Sequence, residues 1–160
     1  MSVAPRLTVI APTGSSSAGA GAGGVGFQLN VPASVEVAPW LVTHWNAGAT
    51  VTPSASNGAD ERATTTAYNL GASAIWRVRP TFNVLVEVAW SHSEAVVGPG
   101  VAAGEQELRV SPGVRWAHNV AGGLQIVPGI AYPLGVGPSR GAEAVFLYLS
   151  FEHSLRKAVP

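Results

Sequence analysis

Residues 124–136 read LQIVPGIAYPLGV, and every second side chain from Leu124 to Val136 is apolar or aromatic. The positions between them carry Gln, Val, Gly, Ala and Pro, which are smaller or more polar. A helix turns by about 100° per residue and would mix these two sets, whereas a strand separates them onto two faces. The stretch therefore predicts a β-strand with one large apolar face and one face of smaller groups.

The same alternation recurs along the chain, for example in FNVLVEVAW (82–90), where the apolar set is Phe, Val, Val, Val and Trp. No segment shows a helical period long enough to compete with it. We predict one all-β domain spanning 1–160, with about eight strands. These lie roughly at 6–12, 25–37, 41–52, 64–78, 81–93, 105–118, 123–136 and 143–153.

Composition limits the classes of protein to which this chain can belong. Of its 160 residues 47% are hydrophobic and 11% charged, and nine basic residues balance nine acidic ones. Soluble domains carry about 25% charged residues, and nucleic-acid binders need a basic face. Charged disordered chains are poor in apolar residues, and no apolar run approaches the length of a transmembrane helix. The composition thus predicts neither a nucleic-acid partner nor a helical membrane span, yet it leaves a mean hydropathy of +0.26.

The predicted connections alternate in length. Long ones are expected at 13–24, 53–63 and 94–104, and short ones near Pro39, near Pro80 and at 119–123. An up-and-down transmembrane barrel has short turns at one end and longer loops at the other, which a Greek-key sandwich does not. We therefore predict an antiparallel transmembrane β-barrel, either complete at about eight strands or the C-terminal part of a longer barrel.

Aromatic residues on the apolar face sort by position along the strands, as the two interfacial girdles of a membrane barrel require. The predicted girdle residues are Trp76, Phe82, Trp116 and Phe151 near the short-turn ends, with Tyr68, Trp90 and Tyr132 near the long-loop ends. Pairs on one strand are eight positions apart, which is about 20 Å along the axis of a tilted barrel.

Strand charges gather on the opposite face, which we expect to line the lumen. The predicted lining residues are Glu36, His44, Asn46, Asn69, Arg77, Glu87, Glu107, Arg109, Arg115, Gln125, Tyr148 and Glu152. In a closed barrel of eight strands, Arg77, Glu87, Glu107, Arg109 and Arg115 would form a buried ion-pair network that plugs the interior. In a wider barrel the same side chains would line a wet channel, and both alternatives use the same face.

The chain resembles a family of bacterial outer-membrane transporters, the meta-pathway of phenol degradation type. The stretches that carry the resemblance are SPGVRWAHN (111–119), GLQIVPGIAYPLGVGPSRG (123–141) and FLYLSFEH (146–153), with APRLTVIAPTG (4–14) and TTTAYNLGASAIW (64–76) upstream. The resemblance implies a barrel in the bacterial outer membrane that passes small, often apolar or aromatic compounds. It also implies a signal peptide and further strands before Met1, so the expectation is a truncated or mis-started chain. The last strand resembles the signal read by the outer-membrane assembly machinery, here followed by SLRKAVP (154–160).

Three local patterns receive less specific interpretations. Gly19, Gly21 and Gly24 match a dinucleotide fingerprint as a string, but the next segment alternates like a strand where that motif needs a helix. Residues 91–94 (SHSE) offer a nucleophile, a base and a carboxylate, yet neighbours in a strand point to opposite faces. The four His residues lack metal-ligand spacing. We expect β-bulges at Pro112 and Pro128, since each lacks the N–H that a strand ladder uses.

The sequence as a whole predicts an outer-membrane channel for passive passage of small hydrophobic or aromatic solutes. Its partners would be outer-membrane lipids, the assembly machinery and the solute, with no cofactor, no metal and no catalytic residue. The alternative is a non-conducting barrel that is structural or binds through its loops. A lipid hydrolase built on residues 91–94 is the third interpretation.

Overall fold

The computed structural model describes residues 1–153 of the chain, and the predicted continuation into 154–160 lies outside the described residues. The strands are β1 (Ser2–Val3), β2 (Arg6–Ile10), β3 (Gly26–Ala38), β4 (Leu41–Ser56), β5 (Arg62–Arg79), β6 (Phe82–Gly98), β7 (Val101–Trp116), β8 (His118–Val120), β9 (Leu124–Ala131), β10 (Leu134–Gly135) and β11 (Phe146–His153). A single 3-10 turn covers Gly137–Ser139. Within the described part of the chain no helix is long and apolar enough to cross a membrane.

All strands belong to one antiparallel sheet in which each long strand pairs with the next along the chain. β1 and β2 both pair with β3, so they form one arm. β7 with β8, and β9 with β10, likewise form two arms interrupted by short breaks. Eight arms follow one another in an up-and-down order, which confirms the predicted all-β antiparallel class. The sheet is open, with the β1–β2 arm at one edge and β11 at the other.

Two predicted long connections are wrong, because the strands on either side extend into them. The stretch 94–104 becomes strand except for a two-residue turn at Pro99 and Gly100, where Gly100 has φ +71°. Proline followed by a left-handed glycine is the pattern of a type II turn, and the alternating Ala and Val residues around it suit strands. The stretch 53–63 shrinks to a five-residue turn over 57–61, in which the Asn57 carboxamide accepts from the N–H groups of Ala59 and Glu61.

The expected bulges at Pro112 and Pro128 are also absent from the described ladders. Register runs unbroken through Val86↔Pro112 and through Leu149↔Pro128. Each proline instead faces a break in the pairing of the β7 and β9 arms. The Pro112 carbonyl accepts from the N–H of Tyr132, just beyond the end of β9, while Pro128 lies opposite Trp116, where β7 ends. The missing N–H groups split one ladder into three short pieces without shifting its register.

The sheet buries very little of its own apolar surface. Among residues 1–153 the buried apolar side chains are Ala55, Ala63, Ile75 and Val127. The accessible surface is 10524 Å², whereas a compact monomer of 16.3 kDa exposes about 7500 Å². A chain of this length can ordinarily form a sizeable core, so the described part of this fold leaves its apolar residues for something else to cover.

Candidate functional site

The strand register joins the apolar positions of successive strands into one continuous face, called here the apolar face. One row across it runs Val31↔Ala47↔Leu70↔Trp90↔Leu108, each pair directly opposed on neighbouring strands. Side chains on this face are large and exposed: Leu70 is 55% exposed and Val88 40%. An exposed apolar patch of several strands marks a surface meant for lipid or for a partner.

The seven predicted girdle residues all lie on the apolar face and form two oblique lines. Trp76 is opposite Val84 of β6. Phe82 lies two residues before Val84, at the start of that strand, and is directly opposite Trp116. On the other side Tyr68 is opposite His92, and Trp90 lies two residues away in the same direction. We call Trp76, Phe82, Trp116 and Phe151 the first aromatic line, and Tyr68, Trp90 and Tyr132 the second aromatic line.

Both lines slope the same way relative to the rows of paired residues. On the second line, Trp90 lies two residues away from His92, the residue opposite Tyr68. The row of Trp90 continues through Leu108 to Val136, and Tyr132 lies four residues from Val136 in the same direction. The first line advances by two residues from Trp76 to Phe82, and by two more between Trp116 and Phe151. Both lines are therefore oblique to the rows in the same sense, as a line of constant height would be in any sheet of tilted strands.

Four aromatic residues on or beside these strands were not predicted as site residues. Phe146 is one of them, and it lies on the face opposite the apolar face and lines the second groove described below. Phe27 lies on the apolar face in the row of Thr66, two residues beyond Tyr68, and therefore extends the second aromatic line. Trp40 lies in the turn between β3 and β4, and Trp45 lies on the apolar face opposite Ala72, between the two lines. Alternation already placed Phe27 on this face, and its position just after the long connection 13–24 is the signal that would have added it to the residues near the long-loop ends.

The twelve predicted lining residues all lie on the opposite face, called here the polar face. Register places His44, Ser73, Glu87 and Ser111 in one row, and Asn69, Ser91 and Glu107 in another. Arg77, Asn83 and Arg115 share a third row, which continues to Gly129 and Tyr148. The remaining members take positions of the same parity: Glu36, Asn46, Arg109, Gln125 and Glu152.

The polar face carries two adjoining grooves, and a third of about 420 Å³ lies on the apolar face beside Trp45, Leu70 and Trp90. One, of about 450 Å³, is lined by His44, Asn46, Asn69, Glu87 and Arg109 among others. The second, of about 440 Å³, shares Glu87 and Arg109 and extends to Arg115 and Tyr148. Gly71, Ala89 and Ser91 also line the first groove, and their small side chains leave the space open.

The network of five charged residues was predicted for a closed barrel, so it stays a prediction while the sheet is open. Arg109 Nη2 is 3.2 Å from Glu107 Oε2, and Arg77 Nη1 is 3.5 Å from Glu36 Oε1, so the charges form two separate pairs. Every partner is about half exposed, with side-chain exposures between 42% and 57%. Glu87 lies between two serines in its row, which separates it from the arginines. In the open sheet such exposed pairs contribute about 0–1 kcal/mol each.

Residues 91–94 divide between the two faces. The His92 ring stacks on Tyr68 with centroids 6.3 Å apart, and its Nε2 is 3.9 Å from Glu94 Oε1. Glu94 lies four residues beyond Trp90, on the turn side of the second aromatic line. There its carboxylate accepts from the N–H and the hydroxyl of Thr66, which lowers the pKa of Glu94. Ser91 and Ser93 face the other way, opposite Glu107 and Glu105.

The remaining local patterns add no site. Gly24 is followed two residues later by β3, where a dinucleotide fold would start a helix. Residues 1–153 contain no group of three or more His, Asp or Glu side chains that could hold a metal ion.

Comparison with protein-family models, with curated proteins and with solved structures finds no match to this chain. The observations define its class only as an antiparallel up-and-down β-sheet protein with one apolar and one polar face.

Proposed function

We propose that the sheet forms the wall of an outer-membrane β-barrel that lets small hydrophobic or aromatic solutes pass passively. The observation that carries this proposal is the uncovered apolar face, bounded on both sides by oblique aromatic lines. Eight residues separate the two lines on one strand, or about 20 Å of height in a tilted barrel, close to the apolar band of such proteins. Lipid would cover this face, and the charge-poor composition suits such a surface.

The polar face supports a passage in preference to a plug. Many of its positions carry Gly, Ala or Ser, and Gly71, Ala89 and Ser91 would leave room between the larger side chains even where the eight arms close on themselves. Arg109 and Glu107, at the centre of this face, would set the local field that a solute meets. No cofactor, catalytic residue or nucleic acid takes part in this proposal.

The proposed location is the bacterial outer membrane, and the proposed assembly signal is β11. Its apolar positions, Leu147, Leu149 and Phe151, are all exposed and lie on the apolar face. An alternating strand with an aromatic residue near its end, here Phe151, is what the assembly machinery would read in a barrel of the resembled family.

Conductance of the refolded protein tests the channel directly. We expect chain refolded into lipid vesicles to float with them, and planar bilayers fused with those vesicles to show discrete conductance steps. Glu107→Gln should change the ion selectivity of these steps, and Ser17→Ala, in the 11–25 connection, should leave it unchanged. Flotation without any conductance would support the non-conducting structural barrel, and failure to float would overturn the membrane proposal.

The lipid hydrolase is a weaker alternative, since the only observation in its favour is the contact between His92 and Glu94. Both candidate serine nucleophiles on that strand lie on the opposite face, out of reach of His92 as a base. Release of fatty acid from vesicles by the wild-type chain, abolished by His92→Ala, would revive it.

A further inference from the structure

The two edges of the open sheet are the least covered backbone in the described structure. β11 pairs with β9 on one side only, and β2 pairs only with β3. Leu7 is 78% exposed and Leu147 73%, the highest values for any described Leu, Ile, Val or aromatic residue. In hydrocarbon an unpaired backbone N–H or C=O costs several kcal/mol, so a membrane sheet cannot keep such edges.

We infer that the β1–β2 arm and β11 pair with each other in the membrane, with Ile10 opposite Phe146 and Val3 opposite His153. This inference rests on the proposed function, because it is the lipid environment that makes the open edges costly. The eight arms alternate in direction, so the first and the last are antiparallel to each other, as this pairing needs.

The register follows from the slope of the aromatic lines. A straight row from Phe146 crosses Ala131, Gly113, Leu85, Ile75 and Val42 to Glu36. In the first arm Ser2 pairs with Ser34 of β3. In the same register the row through Glu36 would cross the line of the first arm two positions before Ser2. A closed barrel must displace this row by an even number of residues, since the two faces would otherwise exchange.

A displacement of ten residues satisfies both edges together. Spread over eight arms it is between one and two residues per arm, which is the slope of the aromatic lines. It also sets Phe146, where β11 begins, against Ile10, where β2 ends. A displacement of eight would leave Val9 and Ile10 opposite residues outside β11, and one of twelve would leave Phe146 and Leu147 opposite residues outside β2. Leu147 then meets Val9 and Leu149 meets Leu7 on the apolar face, while Ser150 meets Arg6 on the polar face.

The hydrogen-bonding directions of the two edges agree with this register. Ala4 N–H donates to Pro32, so the even residues of the first arm face β3 and its odd residues face the free edge. The Tyr132 N–H donates to the Pro112 carbonyl, so the backbone groups of even residues in the β9 arm point toward β7. Those of its odd residues point toward β11, where they meet even residues such as Tyr148. Odd residues of β11 therefore face the free edge and meet the odd residues of the first arm. Pro5, opposite Phe151, leaves one bond of this ladder unmade.

Disulfide trapping tests the register, since the chain has no cysteine of its own. Thr8→Cys is combined in turn with Phe146→Cys, Tyr148→Cys or Ser150→Cys, which report displacements of eight, ten and twelve residues. Each protein is refolded into vesicles, recovered by flotation, oxidised and run without reductant. We expect the Tyr148→Cys combination to give the highest yield of intramolecular disulfide, because opposed residues in non-hydrogen-bonded pairs lie within disulfide range.

Each other result overturns the inference in a distinct way. A higher yield with Phe146→Cys or Ser150→Cys would refute the ten-residue displacement. A disulfide between two chains would assign the edge to a second copy. Floated protein without any disulfide would show that the edges stay apart while leaving the membrane proposal intact, and protein that does not float would remove both proposals.

Discussion

At the scale of the residue, glycines on the polar face differ in how closely neighbouring strands approach them. A Cβ on Gly113 would lie 2.9 Å from both the Ala131 Cβ and the Ile130 carbonyl oxygen, whereas a Cβ on Gly71 would meet nothing nearer than 3.8 Å. We predict that Gly113→Ala lowers the free energy of unfolding by about 1–3 kcal/mol, because it overpacks the β7–β9 contact. Gly71→Ala serves as the control and should be neutral or stabilising by about 0.4–1 kcal/mol. Urea titration of protein in vesicles measures both, and equal losses would contradict the close approach.

The face on which a residue lies decides what a charge there costs. Val88 lies on the apolar face between the two aromatic lines, and Ser91 lies on the polar face opposite Glu107. We predict that Val88→Arg destabilises the protein in vesicles by about 1–3 kcal/mol, because a lipid-facing charge costs about 2–4 kcal/mol at the bilayer midplane and less toward the interfaces. Ser91→Arg should cost much less, because it faces the groove and gains Glu107 as a neighbour. If the two variants lost the same amount, the apolar face would not be in contact with lipid.

At the scale of the element, strand prolines decide where a ladder breaks. We predict that Pro112→Ala creates an amide whose hydrogen exchange is slow, because its N–H can reach the carbonyl of Tyr132 in a ladder that is already in register. Pro99→Ala, in the two-residue turn between β6 and β7, should create an amide that exchanges fast. Exchange measured by NMR in detergent micelles compares the two amides directly, and fast exchange at position 112 would refute this account of the break.

The order of the strands was predictable, but the extent of the β6–β7 hairpin was not. Alternation is a property of the strand itself, so it located the arms without knowledge of their partners. The weak pattern in EAVVGPGVAAG (94–104) is compatible with a loop, and it becomes strand because each segment finds the other as a partner in register. The alternating loop lengths, which suggested a barrel from the sequence, are therefore not part of the structural support for one.

At the scale of the whole molecule, the aromatic lines predict the depth of each tryptophan in a bilayer. In variants that retain one tryptophan and carry Phe at the other four positions, Trp45 should be quenched most strongly by lipids brominated deep in the acyl chain. Trp116 should be quenched most by lipids brominated near the headgroup, because it lies on the first aromatic line whereas Trp45 lies between the lines. Equal depth profiles would indicate a sheet adsorbed on the membrane surface instead of one that crosses it.

The sequence by itself determined which side chains share a face, since period two is local and needs no partner strand. It therefore separated the seven girdle residues from the twelve residues of the polar face. Only the tertiary structure decided that Arg77 meets Glu36, because these residues lie on β5 and β3, whereas Arg109 and Glu107 are two residues apart on β7 and pair locally. The slope of the aromatic lines and the two open edges likewise depend on register, because the displacement of one strand against the next is fixed by hydrogen bonds between segments distant in the chain.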